Sequence, residues 1–389
     1  MNKSVVSPQL VLFALYNLIY VVYMEGFLSR GVYLLSMIVF CGYCLLKISR
    51  QKKMKISFSN QLFGKELKMV LYIVGAFEVL SLISQLYNHD VELYTLKALL
   101  YLVLPPLIVF CIACVDANNY MVYVYILFFR FVLNFFWDVG SNFSISNLLA
   151  INWFDTDSSL MENSLAHVFC LMTLVFLYLD KKKYAAVATV LCIASFKRVS
   201  MLFCILSWVV FPKIPDKPVD KRIRRLAKVA FIISPFILLW VYSKSGASVL
   251  ANYGIDIRDF SSSRYNLVNE VLDYFDGSYN GFGTINNYFA TKNAYYAKIS
   301  SIHCDMLVIY LEVSIIGVLI FVNNIIDIVK NNYKAFYMSL FMFFEVIVTH
   351  FLTGVAEWTL FYLFIFLCEY VNPCKERLLN KNQKLLEEK

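Results

Sequence analysis

Long apolar stretches, separated by shorter polar connections, make up most of the chain. Most of these stretches are long enough for an α-helix to cross about 30 Å of hydrocarbon. They cover residues 8–24, 31–47, 68–87, 96–115, 119–137, 163–179, 226–243, 304–327, 335–352 and 357–371. The pattern predicts an all-α protein that crosses a membrane many times.

Residues 184–211 form one further apolar stretch, which Lys197 and Arg198 interrupt at its centre. Basic residues flank both of its ends, and basic clusters mark the cytoplasmic side of a membrane. Because a single crossing would put one basic flank on the wrong side, we expect two half-length or tilted helices. Lys197 and Arg198 then lie at the turn, near the outer side. Counting these two elements separately predicts about twelve transmembrane or half-membrane helices.

Composition and charge agree with a membrane protein. Hydrophobic residues make up 60% of the 389 residues and charged residues only 16%. A soluble domain carries roughly 25% charged residues, so this chain has too little polar surface for one. The net charge of +8 comes from short basic clusters between the apolar stretches. That distribution is typical of cytoplasmic loops rather than of a nucleic-acid surface.

The clusters also predict how the chain is oriented. They lie at residues 47–68, 181–183, 213–228, 330–334 and 375–389. We therefore predict a single transmembrane domain over 1–389 with cytoplasmic termini and a cytoplasmic tail at 372–389. The first helix lacks a following cleavage site and is expected to be retained.

One connection is much longer than the others. Residues 244–303 are predicted to form a large extracytoplasmic loop, facing the same side as the acidic connections 88–95 and 138–162. Loops of this length are usually functional or disordered. Within it, the serines at 261–263 are suited to cap a helix. Tyr265, Val268, Val271, Leu272 and Phe275 then repeat at helical spacing before Gly277, which predicts a short amphipathic helix.

The cysteines do not indicate a redox or metal centre. Most of the ten lie inside apolar stretches, and the pairs Cys41/Cys44 and Cys111/Cys114 lie mid-helix without His or acidic neighbours. We interpret them as packing residues, with Cys304 alone near the outer surface. The chain has no nucleotide-binding motif, so we expect neither a nucleotide nor a metal cofactor.

Arg130 is an ionisable side chain inside the fifth apolar stretch, about two turns before Trp137, and Asn134 follows it by one turn. Charged groups at membrane depth are costly, so they are either paired or functional. Two interpretations stay open: a structural ion pair with Glu78 or Glu345, or binding of a substrate anion.

Lys197 and Arg198 form a second cationic site. Adjacent cations repel each other unless an anion is near, and an arginine binds a pyrophosphate or carboxylate in bidentate fashion. The alternative is that both side chains snorkel to the outer headgroups. We favour anion binding.

A third group lies in and after the long loop. It comprises Arg258, Arg264, His303, Asp305 and Glu312. On a helix that begins near His303, Asp305 and Glu312 share a face about 10 Å apart along the axis. A neutral imidazole at the membrane boundary is able to accept a proton. Alternatively, the helix dipole favours Asp305 at its N-terminus and His303 is incidental.

Several motifs of this chain resemble those of a known family when they are taken together in order. They are Glu162-Asn163, Lys197-Arg198-Val199-Ser200, Ser262-Ser263-Arg264, Gly281-Phe282-Gly283, His303-Cys304-Asp305-Met306-Leu307 and Tyr310-Leu311-Glu312-Val313-Ser314-Ile315-Ile316-Gly317. The set resembles the signature of bacterial Wzy-type polysaccharide polymerases and the related O-antigen ligases.

This chain departs from the family pattern at three places. Cys304 stands where Asn or Ser is commoner, and Ser314 stands where Gly is frequent. The acidic-Asn pair that often precedes the last helices is missing, with Thr349-His350 and Glu357 nearby instead.

The resemblance implies a fold of the GT-C type and a glycosyl transfer at the outer face of the bacterial cytoplasmic membrane. Undecaprenyl-pyrophosphate-linked oligosaccharide repeats are then joined into capsule, exopolysaccharide or O-antigen. Implied partners are these lipid-linked glycans, membrane lipid, and the chain-length regulator and flippase of the same pathway. A ligase of the same superfamily and a lipid-linked oligosaccharide flippase are the alternatives.

The resemblance also suggests roles for individual residues. His303 is expected to be the catalytic base, oriented by Asp305, and Arg130 to bind the second lipid pyrophosphate. The expected ligands of the leaving pyrophosphate are Arg198, Lys197, Arg264 and Arg258. Glu162 and Glu312 are expected to bind the acceptor or to be structural.

Overall fold

The protein is described from a computed structural model. The structure describes residues 7–51, 61–88, 94–142, 164–257, 264–292 and 302–371. Within these ranges all regular secondary structure is helical. The helices are α1 (Pro8–Met24), α2 (Arg30–Gln51), α3 (Gly64–Tyr87), α4 (Tyr94–Asp116), α5 (Tyr120–Asn142), α6 (Leu165–Tyr178), α7 (Lys182–Ala194), α8 (Arg198–Val210), α9 (Lys221–Tyr242), α10 (Lys244–Asn252), α11 (Arg264–Phe275), α12 (Thr284–Lys292), α13 (Asp305–Ile328), α14 (Tyr333–Val348) and α15 (Val355–Phe366).

Five helical stretches of the described chain are long and apolar enough to cross a membrane. They are Arg30–Arg50, Gly64–Tyr87, Tyr94–Asp138, Lys221–Tyr242 and Asp305–Ile328. The third contains α4 and most of α5, which a short 3-10 turn at Ala117–Asn119 joins. Pro8–Met24 and Leu165–Tyr178 are apolar but shorter. The predicted all-α class is therefore confirmed for the described residues, and these five stretches fit the predicted membrane spans.

The core of the bundle lies around α6 and α15. In both helices, residues on every face are buried, as expected for a helix that is apolar all round. Helix α6 packs against α7, and α15 packs against α4 and α6. Helix α9 instead leaves large apolar side chains uncovered, including Leu226 and Ile237. Such a face suits contact with lipid chains.

The apolar stretch 184–211 folds as two helices of 13 residues each, α7 and α8. They are separated at residues 195–197, where Phe196 has a left-handed backbone with φ 53°. The break falls next to Lys197-Arg198, where the charge pattern predicted it. Thr189 of α7 accepts a hydrogen bond from Trp208 of α8 at 2.9 Å, which ties the two halves together.

Residues 243–304, between α9 and α13, form the long connection. It contains α10, α11 and α12. Tyr265, Val268 and Val271 of α11 are buried against Ile285 and Phe289 of α12, which confirms the predicted amphipathic helix. The same cluster includes Cys304, Leu307 and Val308 at the start of α13. Helices α11 and α12 of the long connection are thus packed on the end of the bundle where α13 begins. The predicted capping serines at 261–263 lie outside the described residues.

Candidate functional site

Asp305 and His350 form the centre of the site. Asp305 begins α13 and is only 1% exposed. Its Oδ1 lies 2.8 Å from Nδ1 of His350, which follows α14. Its Oδ2 accepts hydrogen bonds from the backbone N–H groups of Phe351 and Leu352. Because a carboxylate only accepts, Nδ1 of His350 carries a proton, and Nε2 faces the Thr353 hydroxyl at 3.2 Å.

His303 lies beside this pair. Its ring centroid is 6.5 Å from that of His350, with the rings nearly perpendicular. Its backbone has φ 53°, in the left-handed region that non-glycine residues seldom adopt. Such conformations persist where the surroundings impose them, often at functional sites.

The two imidazoles have opposite pKa shifts. Burial lowers the pKa of His303 to about 4, and the nearby His350, Arg264 and Lys197 add to this effect. Burial also lowers the pKa of His350, but the Asp305 carboxylate outweighs it, so the net pKa is raised. His303 is therefore neutral at pH 7, while His350 holds a proton more readily. Neighbouring groups with divergent pKa values are typical of acid and base partners.

The sequence-based expectation that Asp305 orients His303 is wrong. The carboxylate bonds instead to His350, 45 positions later in the chain, and to the two amides after it. The reason is tertiary: α14 returns to the start of α13 and places the turn at 349–354 against Asp305. Cys304 is buried, with its thiol 3.8 Å from the Tyr242 hydroxyl.

A second buried polar cluster lies on the other side of Phe351. His167, in the first turn of α6, has Nε2 3.0 Å from the Lys197 ammonium. Its Nδ1 lies 2.9 Å from the Ser200 hydroxyl and 3.0 Å from a Glu345 carboxylate oxygen. Since the ammonium only donates, Nε2 accepts and Nδ1 carries the proton. Lys197 thus faces the interior, where it fixes the turn between α7 and α8.

Phe351 connects the two clusters. Its ring packs edge-on against the His167 ring at 5.4 Å, and its N–H group donates to Asp305. His167 was not predicted from the sequence, because a single histidine at the start of an apolar stretch looks like an ordinary core residue.

Arg264 and Arg198, two of the predicted pyrophosphate ligands, lie within the described residues. Arg264 begins α11 and is close enough for its charge to lower the pKa of His303. Its Nε is buried and has no hydrogen-bond partner among the described residues. Arg198 is exposed at the first position of α8, next to Lys197. Arg258 and Glu162, which were also predicted to take part, lie outside the described residues.

Arg30 is a cation of this region that sequence analysis missed. It begins α2, and its guanidinium lies 4.5 Å from the centre of the Tyr101 ring. Its charge acts on His350, which it makes less basic. The Tyr101 hydroxyl is buried without a hydrogen-bond partner among the described residues. The only signal in the sequence was an arginine between two apolar stretches, on the side where basic residues are scarce.

Glu312 holds the long connection in place. It is 1% exposed, and its two carboxylate oxygens accept from the N–H groups of Gly283 and Ile285, each at 2.8 Å. Its own carbonyl accepts from Gly281 N–H at 3.1 Å. Directly after it, Val313 and Ser314 leave the helical conformation, Ser314 with φ 66°, and interrupt α13. Of the two roles expected for Glu312, the geometry favours the structural one.

Replacing Gly283 by alanine is expected to loosen the long connection from the bundle. Gly283 has φ +91°, and a Cβ there would lie 2.8 Å from the Ala98 side chain. Strain and overpacking together cost about 1–3 kcal/mol. Limited proteolysis of the detergent-solubilised variant should cut within 243–304 faster than in the wild type. Gly75→Ala, a helical site with open space, is the control, and equal cleavage of both variants would contradict the interpretation.

Arg130, which was predicted to bind a lipid pyrophosphate, contacts residues of α1. Its Nη1 donates to Asn17 at 2.9 Å, and its guanidinium stacks 3.5 Å from the centre of the Tyr20 ring. The predicted ion pair is not formed, because neither Glu78 nor Glu345 lies within ion-pair distance in the described structure, and Glu345 binds His167. The alternative, binding of an anion, stays a prediction.

Comparison of the chain with protein-family models, curated proteins and solved structures finds no match.

Proposed function

We propose that this protein polymerises oligosaccharide repeats carried on a polyprenyl diphosphate, at the membrane face where the long connection lies. The observation that carries the proposal is the meeting of His303, His350 and Asp305 with three cations, Arg264, Lys197 and Arg30, whose charges act on the two imidazoles. A diphosphate leaving group needs fixed positive charge, and hydroxyl attack needs a proton acceptor. The end of the bundle next to the long connection contains both the fixed positive charge and the proton acceptor.

In the proposed reaction, the terminal hydroxyl of an incoming repeat attacks the anomeric carbon of the growing chain. A new C–O bond forms, while the bond between that carbon and the diphosphate oxygen breaks. His303 accepts the hydroxyl proton, because its imidazole is neutral at pH 7. The departing lipid diphosphate keeps the bonding electrons, and Arg264 and Arg198 balance its charge. Lys197 contributes less directly, through His167 and the turn it fixes.

The proposed topology has the termini in the cytoplasm of a bacterium and the long connection outside. Helices α1, α6, α7, α8, α14 and α15 then also insert, which gives about twelve inserted elements. The basic residues between α2 and α3 and before α9 support this orientation.

Removing either of the two arginines that we propose to balance the charge of the diphosphate is expected to slow polymer formation. Arg264→Gln and Arg198→Gln each remove one charged hydrogen-bond donor for the leaving group, a change expected to cost about 10- to 100-fold in rate. Polymer length and amount, measured on glycan gels at matched protein abundance, give the readout. Arg222→Gln, an exposed basic position at the other end of α9, is the control. Wild-type polymer in both test variants would rule out the leaving-group role.

Deleting the gene tests the function as a whole. We expect single lipid-linked repeats to accumulate at the outer face, with long chains absent. Repeats retained at the inner face would indicate a flippase instead, and long unattached lipid-linked polymer would indicate a ligase. Either of those two results overturns the proposal.

A further inference from the structure

Arg130 and Asn134 are buried polar groups with unused hydrogen-bonding capacity. Arg130 is 3% exposed and Asn134 is 1% exposed. Nε and Nη2 of Arg130, and both polar atoms of the Asn134 amide, have no hydrogen-bond partner among the described residues. A buried unsatisfied donor costs about 1–3 kcal/mol, and more when it is charged. The described protein therefore leaves the charge of Arg130 without an anion.

A groove on the side of the bundle leads to this arginine. It lies between α1 and α5, has a volume of about 400 Å³, and is lined by Arg130 and Asn17 among mostly apolar side chains. Leu18 of α1 and Phe129 of α5 line it and are 54% and 62% exposed, so it opens sideways. In a membrane that opening faces lipid.

The groove has a polar and an apolar end along α5. Its lining runs from Leu133 and Arg130 back to Val122. Eight residues of helix between Arg130 and Val122 span about 12 Å. Trp137, an exposed aromatic residue of the kind found at membrane interfaces, lies about 10 Å beyond Arg130 on the other side. A lipid in the membrane leaflet next to the long connection has its headgroup toward the Trp137 end of α5 and its chain toward the membrane centre. A ligand with its anion at Arg130 and its chain toward Val122 has the same orientation.

The depth of the site favours a single-chain lipid over a phospholipid. A phospholipid phosphate at Arg130 would submerge the glycerol and both ester groups below the interface. A phosphate attached directly to one hydrocarbon chain brings no such polar groups with it. The planar donor pair Nε and Nη2 also matches two oxygens of one phosphate.

We propose that the groove between α1 and α5 binds a single-chain lipid phosphate, with its phosphate on Arg130 and its chain along Leu18 and Phe129. The assignment of this lipid as the polyprenyl carrier rests on the proposed function, while the binding itself does not. In that reaction, the groove is a lateral holding site for a carrier lipid, separate from the His303 site.

Binding and stability of purified protein in detergent test the proposal. Polyprenyl monophosphate, phosphatidylglycerol and inorganic pyrophosphate are the three probes, each titrated against the unfolding temperature. We expect only polyprenyl phosphate to raise that temperature, and Arg130→Gln to weaken its binding about 10- to 100-fold. Without lipid, Arg130→Met should unfold at the wild-type temperature or above, since it removes an uncompensated buried charge.

Leu18→Trp is a second variant, which fills the groove and leaves Arg130 in place. It should also abolish the lipid-induced rise, while the control Ile237→Trp, on the exposed face of α9, should keep it. Two results together would show that Arg130 is purely structural. In the first, Arg130→Met unfolds at a lower temperature than the wild type without lipid. In the second, lipid does not raise the unfolding temperature of the wild type. An equal response to phosphatidylglycerol or to pyrophosphate would overturn the assignment to a single-chain lipid. Because these readouts need no polymerisation, they can fail independently of the proposed function.

Discussion

Replacing Asp305 by alanine is expected to reduce polymer formation by two orders of magnitude or more. The carboxylate binds the His350 imidazole and two backbone amides, so its loss leaves three buried donors unsatisfied. His350 then loses both its orientation and the charge that raises its pKa. Polymer from cells that contain normal amounts of the variant gives the readout.

Matched variants distinguish a loss of the His350 orientation from a loss of folding stability. Asp305→Asn keeps the size of the side chain, but its amide cannot accept all three hydrogen bonds, so we expect a large loss of activity with a smaller loss of stability. Asp327→Ala, at the partly exposed other end of α13, removes a carboxylate that pairs with Lys228 and should leave polymer nearly unchanged. Full polymer in the Asp305→Asn protein would mean that this carboxylate does not serve the reaction.

His303→Gln is expected to slow polymerisation by about 10²- to 10⁴-fold, the usual contribution of a positioned base. The wild-type rate should stay level as the pH falls from 7 to about 5, then drop as His303 becomes protonated near its pKa of about 4. A fall centred near the ordinary histidine pKa would indicate a different base. Reconstituted vesicles supplied with lipid-linked repeats allow the pH at the active face to be set.

The lowered pKa of His303 also predicts how the stability of the folded protein depends on pH. The folded-state pKa of His303 lies below its unfolded value, so its contribution to stability is present above about pH 6.5 and is lost as the pH falls toward 4. His303→Gln should therefore lose less stability than the wild type between pH 7 and 5. His350 has the opposite sign, since its raised pKa favours the folded state at low pH and that contribution is lost as the pH rises.

Local pattern was sufficient to predict several elements of the fold, although α10 and α12 were not predicted. The charge pair at 197–198 predicted where the stretch 184–211 breaks, because both basic flanks had to lie on one side. The spacing of Tyr265, Val268 and Val271 predicted α11, because a helix needs one apolar stripe to pack. Both signals are local, since a charged pair and a repeat of apolar residues can each be recognised within a few helical turns.

The contacts of the site were harder to predict, because they join residues far apart in sequence. Nothing near Asp305 indicates that its partner is His350, and nothing near His167 indicates Lys197 and Glu345. Helical spacing placed Glu312 on one face with Asp305, and the sequence left an acceptor-binding and a structural role open, but it did not indicate that the carboxylate binds the N–H groups of Gly283 and Ile285. The sequence shows which side chains are polar or charged, but the partner of each depends on how the helices pack.

Purified protein in vesicles tests the central proposal most directly. Single lipid-diphosphate-linked repeats are supplied alone, without nucleotide sugar, and the glycan length and the free lipid diphosphate are followed together. We predict a ladder of longer lipid-linked chains, one lipid diphosphate released per bond formed, and neither product with His303→Gln. Repeats that keep their length and only change leaflet, or that are transferred to a different acceptor without growing, would contradict the account.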